Sequence, residues 1–273
     1  MGEKVLSVLI PVYRYDCSSL VAELRTQGDG LGVGYEILTA DDEQLRMGRA
    51  RVRNWLAEQA KGEKLLFLDC DAAAPTNPHF LADYLKASEQ APVVVGGLYH
   101  ADTLPSPDVS LRYRYEKAAD RHRSAAIRQR HPYACFSTFS FLIDRELFLR
   151  IRFHEDCTEY GHEDTLFGAE LEQRNVSVLH IDNPLRHDGL EPNDVFLDKS
   201  RTALRSLKRM EPQLQDHSTL LRNYRKMRRL KLTGLLSRLY KRFGGRWERR
   251  LTESLRPSLF LFKLYKLAYY CTL

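Results

Sequence analysis

A chain of 273 residues that is 43% hydrophobic and 10% aromatic is long enough to bury a core, which excludes a disordered or fibrous protein. Its five cysteines (Cys17, Cys70, Cys135, Cys157 and Cys271) are scattered and form no CxxC pair. That excludes a disulfide framework and a zinc knuckle, and predicts a reducing, cytosolic setting. The net charge of +6 divides unevenly: residues 1–200 carry 23 Lys and Arg against 32 Asp and Glu, whereas residues 201–273 carry 19 against 4. An acidic body with a basic tail calls for an anionic partner.

The first apolar run, "VLSVLIPV" (5–12), is continuous and β-branched, the pattern of a strand buried on both faces. It is too short for a secretion signal, and no window of eighteen apolar residues predicts a membrane-spanning helix. A helix is expected over 18–25, a glycine loop over 28–34, and a second strand, "YEILTADD", over 35–42. The spacing of Val52, Trp55, Leu56 and Ala60 predicts a helix over 47–61, stopped by Gly62. A third strand, "KLLFLDCD" (64–71), is followed by a helix over 79–90 and a fourth strand, "PVVVGGLY" (92–99). Beyond an Arg- and Tyr-rich helical stretch come a strand over 136–143, a helix over 163–175 and a strand over 176–182; after Pro192 the chain is helical and basic.

Alternating apolar strands and helices predict an α/β protein whose mainly parallel sheet is flanked by helices. In such sheets ligands bind beyond the carboxyl ends of the strands. Polar clusters stand at three of those ends: Tyr13 to Asp16, Asp41-Asp42, and Asp69 to Asp71. Asp69 and Asp71, two residues apart on an extended chain, project to one side, with Cys70 on the other. The pair admits two readings, a solvated turn or an oxygen-donor site for a hard divalent cation such as Mg²⁺ or Mn²⁺.

Four segments in this order carry a resemblance. Pro11-Val12-Tyr13 closes the first strand, and "EILTADD" follows with Glu43-Gln44 behind it. "GRARVRNWLAEQAKGEKLLFLDCDA" and "YGHEDTLFGAEL" complete the set. Together they resemble the family 2 glycosyltransferases, inverting enzymes of the GT-A fold group, over residues 4 to 200. The resemblance implies a catalytic domain over 1–200 and leaves 201–273 as a basic helical extension. It implies that Tyr13 packs on a nucleotide base over a floor shaped by Pro11. Asp41 or Asp42 would bond the base or ribose, and Arg49 and Arg53 would lie near the nucleotide or diphosphate. Asp69 would face the ribose, and Asp71 would ligate a Mn²⁺ or Mg²⁺ cofactor. Asp164 would be the base that deprotonates the acceptor, with Glu163 orienting it, although an acid at this place also suits a helix N-terminus. His187 would complete the metal shell; as a plain loop histidine it would bond backbone.

The expected activity is transfer of a sugar from a nucleotide-sugar, UDP-linked ahead of GDP- or dTDP-linked, to a glycan or lipid-linked hydroxyl. In the tail, Leu232, Leu235, Leu236, Leu239 and Tyr240 form an apolar stripe opposite cations, the pattern of a helix lying in a membrane interface. The aromatics of "LFLFKLYKLAYY" are expected to anchor at headgroup level. This predicts peripheral attachment to an anionic membrane on its cytoplasmic face. No nucleic-acid motif accompanies the charge, so nucleic acid is not expected. Two other functions compete. A nucleotidyltransferase would need a glycine-rich loop, which "PVYRYDCSS" does not supply. A non-catalytic adaptor on a transferase-like body would not need the intact acids.

Overall fold

The computed structural model describes residues 4–155, 161–214 and 217–273. In chain order its elements are β1 (Lys4–Val12), α1 (Ser18–Asp29), β2 (Gly34–Asp41), α2 (Asp42–Leu45), α3 (Arg49–Gln59), β3 (Lys64–Leu68), α4 (Phe80–Ser88), β4 (Val93–Val95) and β5 (Leu98–Tyr99). Then follow α5 (Ser110–Asp120), α6 (Ala125–Arg128), β6 (Ser140–Asp144), α7 (Arg145–Ile151), α8 (Glu163–Gln173), β7 (Val178–His180) and β8 (Leu185–Arg186). The chain ends in α9 (Asn193–Arg209), α10 (Glu211–Leu214), α11 (Thr219–Arg229), α12 (Thr233–Thr252) and α13 (Leu259–Tyr270). It divides into two compact units. The first comprises 1–100, 120–158 and 163–189; the second comprises 101–119, 159–162 and 190–273.

The first unit is built on a six-stranded sheet of order β2-β1-β3-β6-β4-β7. β1 runs parallel to β2 and β3, β4 runs parallel to β7, and β6 lies antiparallel between β3 and β4. The architecture is thus α/β with a mixed, mainly parallel sheet. The continuous apolar runs have the physical cause expected of them, because alternate side chains enter two different cores. Leu65, Phe67, Val93, Val95, Phe141 and Ile143 pack with α3, α7 and α8 on one face. Leu66, Leu68, Val94 and Leu142 pack with α1 and α4 on the other. Phe67 stacks on Phe141 with ring centroids 4.8 Å apart and stands against Phe148 and Phe153. Each such fully buried side chain stabilises the fold by about 1.5–3 kcal/mol.

One predicted strand is two. The run 92–99 breaks at Gly96-Gly97: β4 belongs to the large sheet, while β5 pairs with β8 in a small parallel sheet of its own. Gly97 has φ +93°, a conformation side chains disfavour. A Cβ there would lie 2.8 Å from the Arg128 guanidinium. Arg128 is buried and clamps this corner, donating to the carbonyls of Val95 (3.1 Å), Gly96 (3.0 Å), Ile181 (2.8 Å) and Arg123 (2.8 Å), and to His180 Nδ1 (2.6 Å). Burial lowers its pKa.

The second unit is helical. Leu111, Phe196, Leu197, Leu251, Phe262 and Tyr265 form its core. Glu248 accepts from Arg201 (2.8 Å) and from the Tyr265 hydroxyl (2.7 Å). The expectation that the last helix offers its aromatics to a headgroup layer is corrected here. Phe262, Tyr265 and Tyr270 of α13 are fully buried, and Phe260 alone of its phenylalanines is widely exposed, at 77%. The stripe on α12 divides: Leu232 and Leu235 are exposed, while Leu236, Leu239 and Tyr240 are half-buried. None of the helices among the described residues is long and apolar enough to cross a membrane. The four described cysteines are free; Cys157 lies outside the described residues.

Candidate functional site

β3 ends one residue short of its acids. Asp69 donates its backbone N–H to Phe139 O (3.0 Å), and Ala72 N–H returns to Asp69 O (3.2 Å), so residues 69–72 turn out of the sheet. Ala72 then bridges antiparallel to His187, with Asp188 N–H donating to Asp71 O (3.0 Å) and Ala73 N–H to Arg186 O (2.8 Å). Asp69 and Asp71 therefore do not share one side of an extended strand, as their spacing predicts; the turn gives them different partners. Cys70 is buried in the α1/α4 core, and burial pushes its thiol up to about 11.

Asp69 meets a cation supplied by the fold, the guanidinium of Arg53 on α3, which hydrogen-bonds its Oδ1. Arg53 is 3% exposed, lies over the Phe153 ring at 5.9 Å and also donates to Arg49 O (3.2 Å). Its place is beneath Asp69. Burial raises the Asp69 pKa; Arg53 opposes this and the nearby Asp71 reinforces it.

Asp71 is held by the residue that follows β8. His187 Nε2 stands 3.1 Å from Asp71 Oδ2, and His187 Nδ1 stands 3.3 Å from His100 Nε2. His187 is 9% exposed and packs edge-on against Phe139. Burial works against the charge on Asp71, and the field of Arg49 works for it. Its other oxygen, Oδ1, is buried and has no hydrogen-bond partner among the described residues. Gly189 presses on the same carboxyl: a Cβ built there would fall inside it. Gly189→Ala is expected to lower stability by about 1–3 kcal/mol through overpacking, read as a lower urea midpoint. An unchanged midpoint would mean that Asp71 can move aside freely.

The ends of β1 and β2 lie along the same edge. Pro11, which has no N–H, sits in β1 past the last residue paired with β3, so it breaks no ladder on that side. Tyr13 is 52% exposed, with the Arg14 guanidinium 5.3 Å from its ring centroid. Arg14 in turn pairs with Glu43 at 2.6 Å. Asp41 caps α2, accepting from Glu43 N–H (2.9 Å) and Gln44 N–H (3.4 Å). Asp42 Oδ1 accepts from Met47 N–H (3.1 Å) and Gly48 N–H (2.8 Å), shaping the approach to α3. Both acids thus build the loop they stand in.

Arg49 joins the two acidic groups. It is half exposed at the start of α3, its field reaches Asp69 and Asp71, and its NH1 lies 3.6 Å from Glu163 Oε1. Glu163 and Asp164 form the first turn of α8. Asp164 Oδ1 accepts from Thr165 N–H (2.7 Å) and Thr165 Oγ1 (3.3 Å). Burial and the adjacent Glu163 nonetheless push its pKa up to about 6. The helix N-terminus, expected to favour its charge, is outweighed.

Sequence reasoning missed two residues here, His100 and Gly189, and gave no role to Tyr15, whose hydroxyl pKa is raised by burial and by Asp188 and Asp71. His100 had a signal, since it ends an apolar run as Asp69 does. No group of three or more His, Cys, Asp or Glu side chains with metal-site geometry occurs among the described residues. The pair Asp71 and His187 offers two donors, the number that a Mg²⁺-like cation takes from protein when water and phosphate oxygens fill its other positions.

No family model matches the chain, and no curated protein does. Among solved structures it is similar to glucosyl-3-phosphoglycerate synthase from Mycobacterium tuberculosis in complex with Mn²⁺, UDP-glucose and phosphoglyceric acid. Identity is 15%, TM-score 0.48, and coverage 76% of this chain and 79% of that one. It is also similar to the catalytic domain of Drosophila β1,4-galactosyltransferase 7 in complex with xylobiose, at 16% identity and TM-score 0.44, covering 68% of each chain. A third is S. aureus TarS 1–349 in complex with UDP-GlcNAc, at 16% identity and TM-score 0.42, covering 74% of this chain and 66% of that one. The chain spans 39% of the longer TarS chain. At these values the likenesses carry no conclusion about activity or substrate.

Proposed function

We propose that the chain is a glycosyltransferase that moves a sugar from a nucleoside-diphosphate sugar, UDP-linked ahead of GDP- or dTDP-linked, to a glycan hydroxyl with inversion. The observation that carries this reading is the buried, unsatisfied oxygen of Asp71 beside His187, with Arg49 linking that corner to the acids that open α8. Asp71 and His187 would hold a Mn²⁺ or Mg²⁺ ion. Such an ion, when bound, neutralises charge on the departing diphosphate.

The remaining chemistry belongs to this chain. Asp164, with a pKa near 6, is ionised at pH 7 and accepts the acceptor's hydroxyl proton. The acceptor oxygen bonds to the anomeric carbon on the face opposite the diphosphate. The bond from that carbon to the diphosphate oxygen breaks, and the nucleoside diphosphate leaves with the electron pair. Glu163, steered by Arg49, orients the acceptor. Arg53 holds Asp69 toward the ribose. The exposed Tyr13 ring stacks on the base over Pro11, and Asp41 or Asp42 bonds base or ribose through an oxygen not used in the loop. Screening UDP-, GDP- and dTDP-sugars for Mn²⁺-dependent hydrolysis or transfer tests the reading. No thermal stabilisation by any nucleotide with Mn²⁺, and no turnover, would sink it.

The second unit is proposed to bind the anionic cytoplasmic face of a membrane, which suits a lipid-linked acceptor. The support is a stripe on α12 in which exposed Leu235 is followed by exposed Arg238, Arg242, Arg246 and Arg249 at helical spacing. Each Lys or Arg near an anionic leaflet contributes about 1 kcal/mol, a factor of about five. Arg238→Gln and Arg242→Gln together are therefore expected to weaken sedimentation with phosphatidylserine vesicles by about 25-fold. Equal binding to neutral phosphatidylcholine vesicles, or none to either, counts against it.

A further inference from the structure

His187 is one link in a chain of side chains that reaches away from Asp71. Beyond it stands His100, 1% exposed, and beyond that Asp120, which closes α5. Asp120 grips His100 twice: Oδ2 accepts the His100 backbone N–H (3.1 Å), and Oδ1 lies 3.0 Å from Nδ1. Arg123 NH1 lies 3.1 Å from the same Oδ1 and 3.2 Å from His100 Nδ1. His100 and Arg123 hold the Asp120 carboxyl below its ordinary value against the opposing effect of burial.

The direction of each hydrogen bond follows from one end. An ionised carboxylate only accepts, so the hydrogen between Asp120 and His100 sits on Nδ1, and Arg123 has its acceptor in the carboxylate rather than in the ring. In the neutral His100 ring, Nε2 is then a bare lone pair. His187 Nδ1, 3.3 Å away, supplies the hydrogen that this lone pair accepts. That leaves His187 Nε2 bare as well, 3.1 Å from Asp71 Oδ2, which is also a lone-pair donor. With His187 neutral, the state in which an imidazole can ligate a metal, two lone pairs face each other at that distance, and a cation between them satisfies the arrangement. The second Asp71 oxygen, buried without a partner, points to the same need.

We infer that Asp120 and His100 are positioning residues that lock His187 in its Nδ1–H tautomer, so that bare Nε2 and the Asp71 carboxylate face a divalent cation together. The inference rests on the metal reading proposed above and extends it to residues that touch neither cation nor substrate. Partners of this kind, which orient a metal-ligating histidine, typically change metal affinity by 10–100-fold when removed.

The test uses the full chain labelled with ¹⁵N-histidine. In the metal-free protein, the two-bond ¹⁵N–¹H spectrum of His187, assigned by its loss in His187→Gln, is expected to show hydrogen on Nδ1. Titration with Mn²⁺ alone, followed by the electron paramagnetic resonance of the free ion, is expected to give 10–100-fold weaker binding for His100→Leu. His100→Gln, whose side-chain carbonyl accepts from Nδ1–H, is expected to restore most of it. Hydrogen on His187 Nε2 in the metal-free protein, or unchanged Mn²⁺ affinity in His100→Leu, overturns the inference. If the wild-type chain binds no Mn²⁺, the metal reading fails by itself and the tautomer spectrum still decides the positioning role.

Discussion

Asp71→Asn is expected to lower sugar transfer by roughly 10³-fold or more, because a cation that neutralises a leaving diphosphate supplies several kcal/mol. The substitution keeps the shape of the side chain, so Gly189 still packs against it and the fold should survive. It removes the charge and replaces one oxygen by a donor, which turns an N–H toward either His187 Nε2 or the proposed cation position. Mn²⁺ affinity should fall with activity, and excess Mn²⁺ should recover little. Asp69→Asn should behave differently, since Asp69 already has a buried partner in Arg53, and removing one member of a buried pair destabilises by about 3–5 kcal/mol. Asp71→Asn would thus lose activity at nearly normal stability, and Asp69→Asn would lose stability first. Full transfer activity in Asp71→Asn rules out the cation site as described.

Asp164→Asn should move activity and stability in opposite directions. Loss of a general base lowers turnover by about 10²–10⁴-fold. In the unfolded chain Asp164 titrates near 3.9, and in the fold near about 6. Between those values the folded state binds a proton that the unfolded state has released. The contribution of this group is therefore most favourable below about pH 4 and is lost as pH rises through 6. Above pH 7 the ionised, buried carboxylate destabilises by on the order of 1–3 kcal/mol. Asparagine removes that burden and keeps an oxygen for Thr165, so Tm should rise by a few degrees at pH 8 and scarcely change at pH 4. The wild-type kcat/KM should climb with pH through about 6 and the residual activity of the variant should not. A variant with wild-type activity, or a Tm gain that is the same at both pH values, contradicts this account.

The sheet was legible because its strands are buried on both faces, which leaves apolar runs with no alternation to misread. Asp41, Asp42, Asp69 and Asp71 were legible because they stand where such runs stop, and Glu163 and Asp164 because they open a helix. What the sequence concealed is long-range. Nothing local distinguishes Arg53 from the other arginines of "GRARVRN", yet it alone turns inward to Asp69. His187 pairs with a partner 116 residues away and His100 with one 87 residues beyond it. The break at Gly96-Gly97 was visible as two glycines, but only the Arg128 guanidinium explains why they are needed there. The α13 aromatics read as a membrane anchor because an apolar helix facing lipid and one facing a core share a composition; the buried Phe262, Tyr265 and Tyr270 decide for the core.

Arg128 has a consequence for motion. By bonding carbonyls at the ends of β4 and β7 and the carbonyl of Arg123, it ties the segment from Asp120 to Arg128 to the sheet. Segments fixed by few buried bonds open locally at low free energy, while those bonded into a sheet open only with it. Asp120 is therefore expected in the slow-exchanging part of the molecule. Amide hydrogens near His100 and His187 should exchange with the β4–β7 amides as one cooperative group, and Arg128→Met should release them from it.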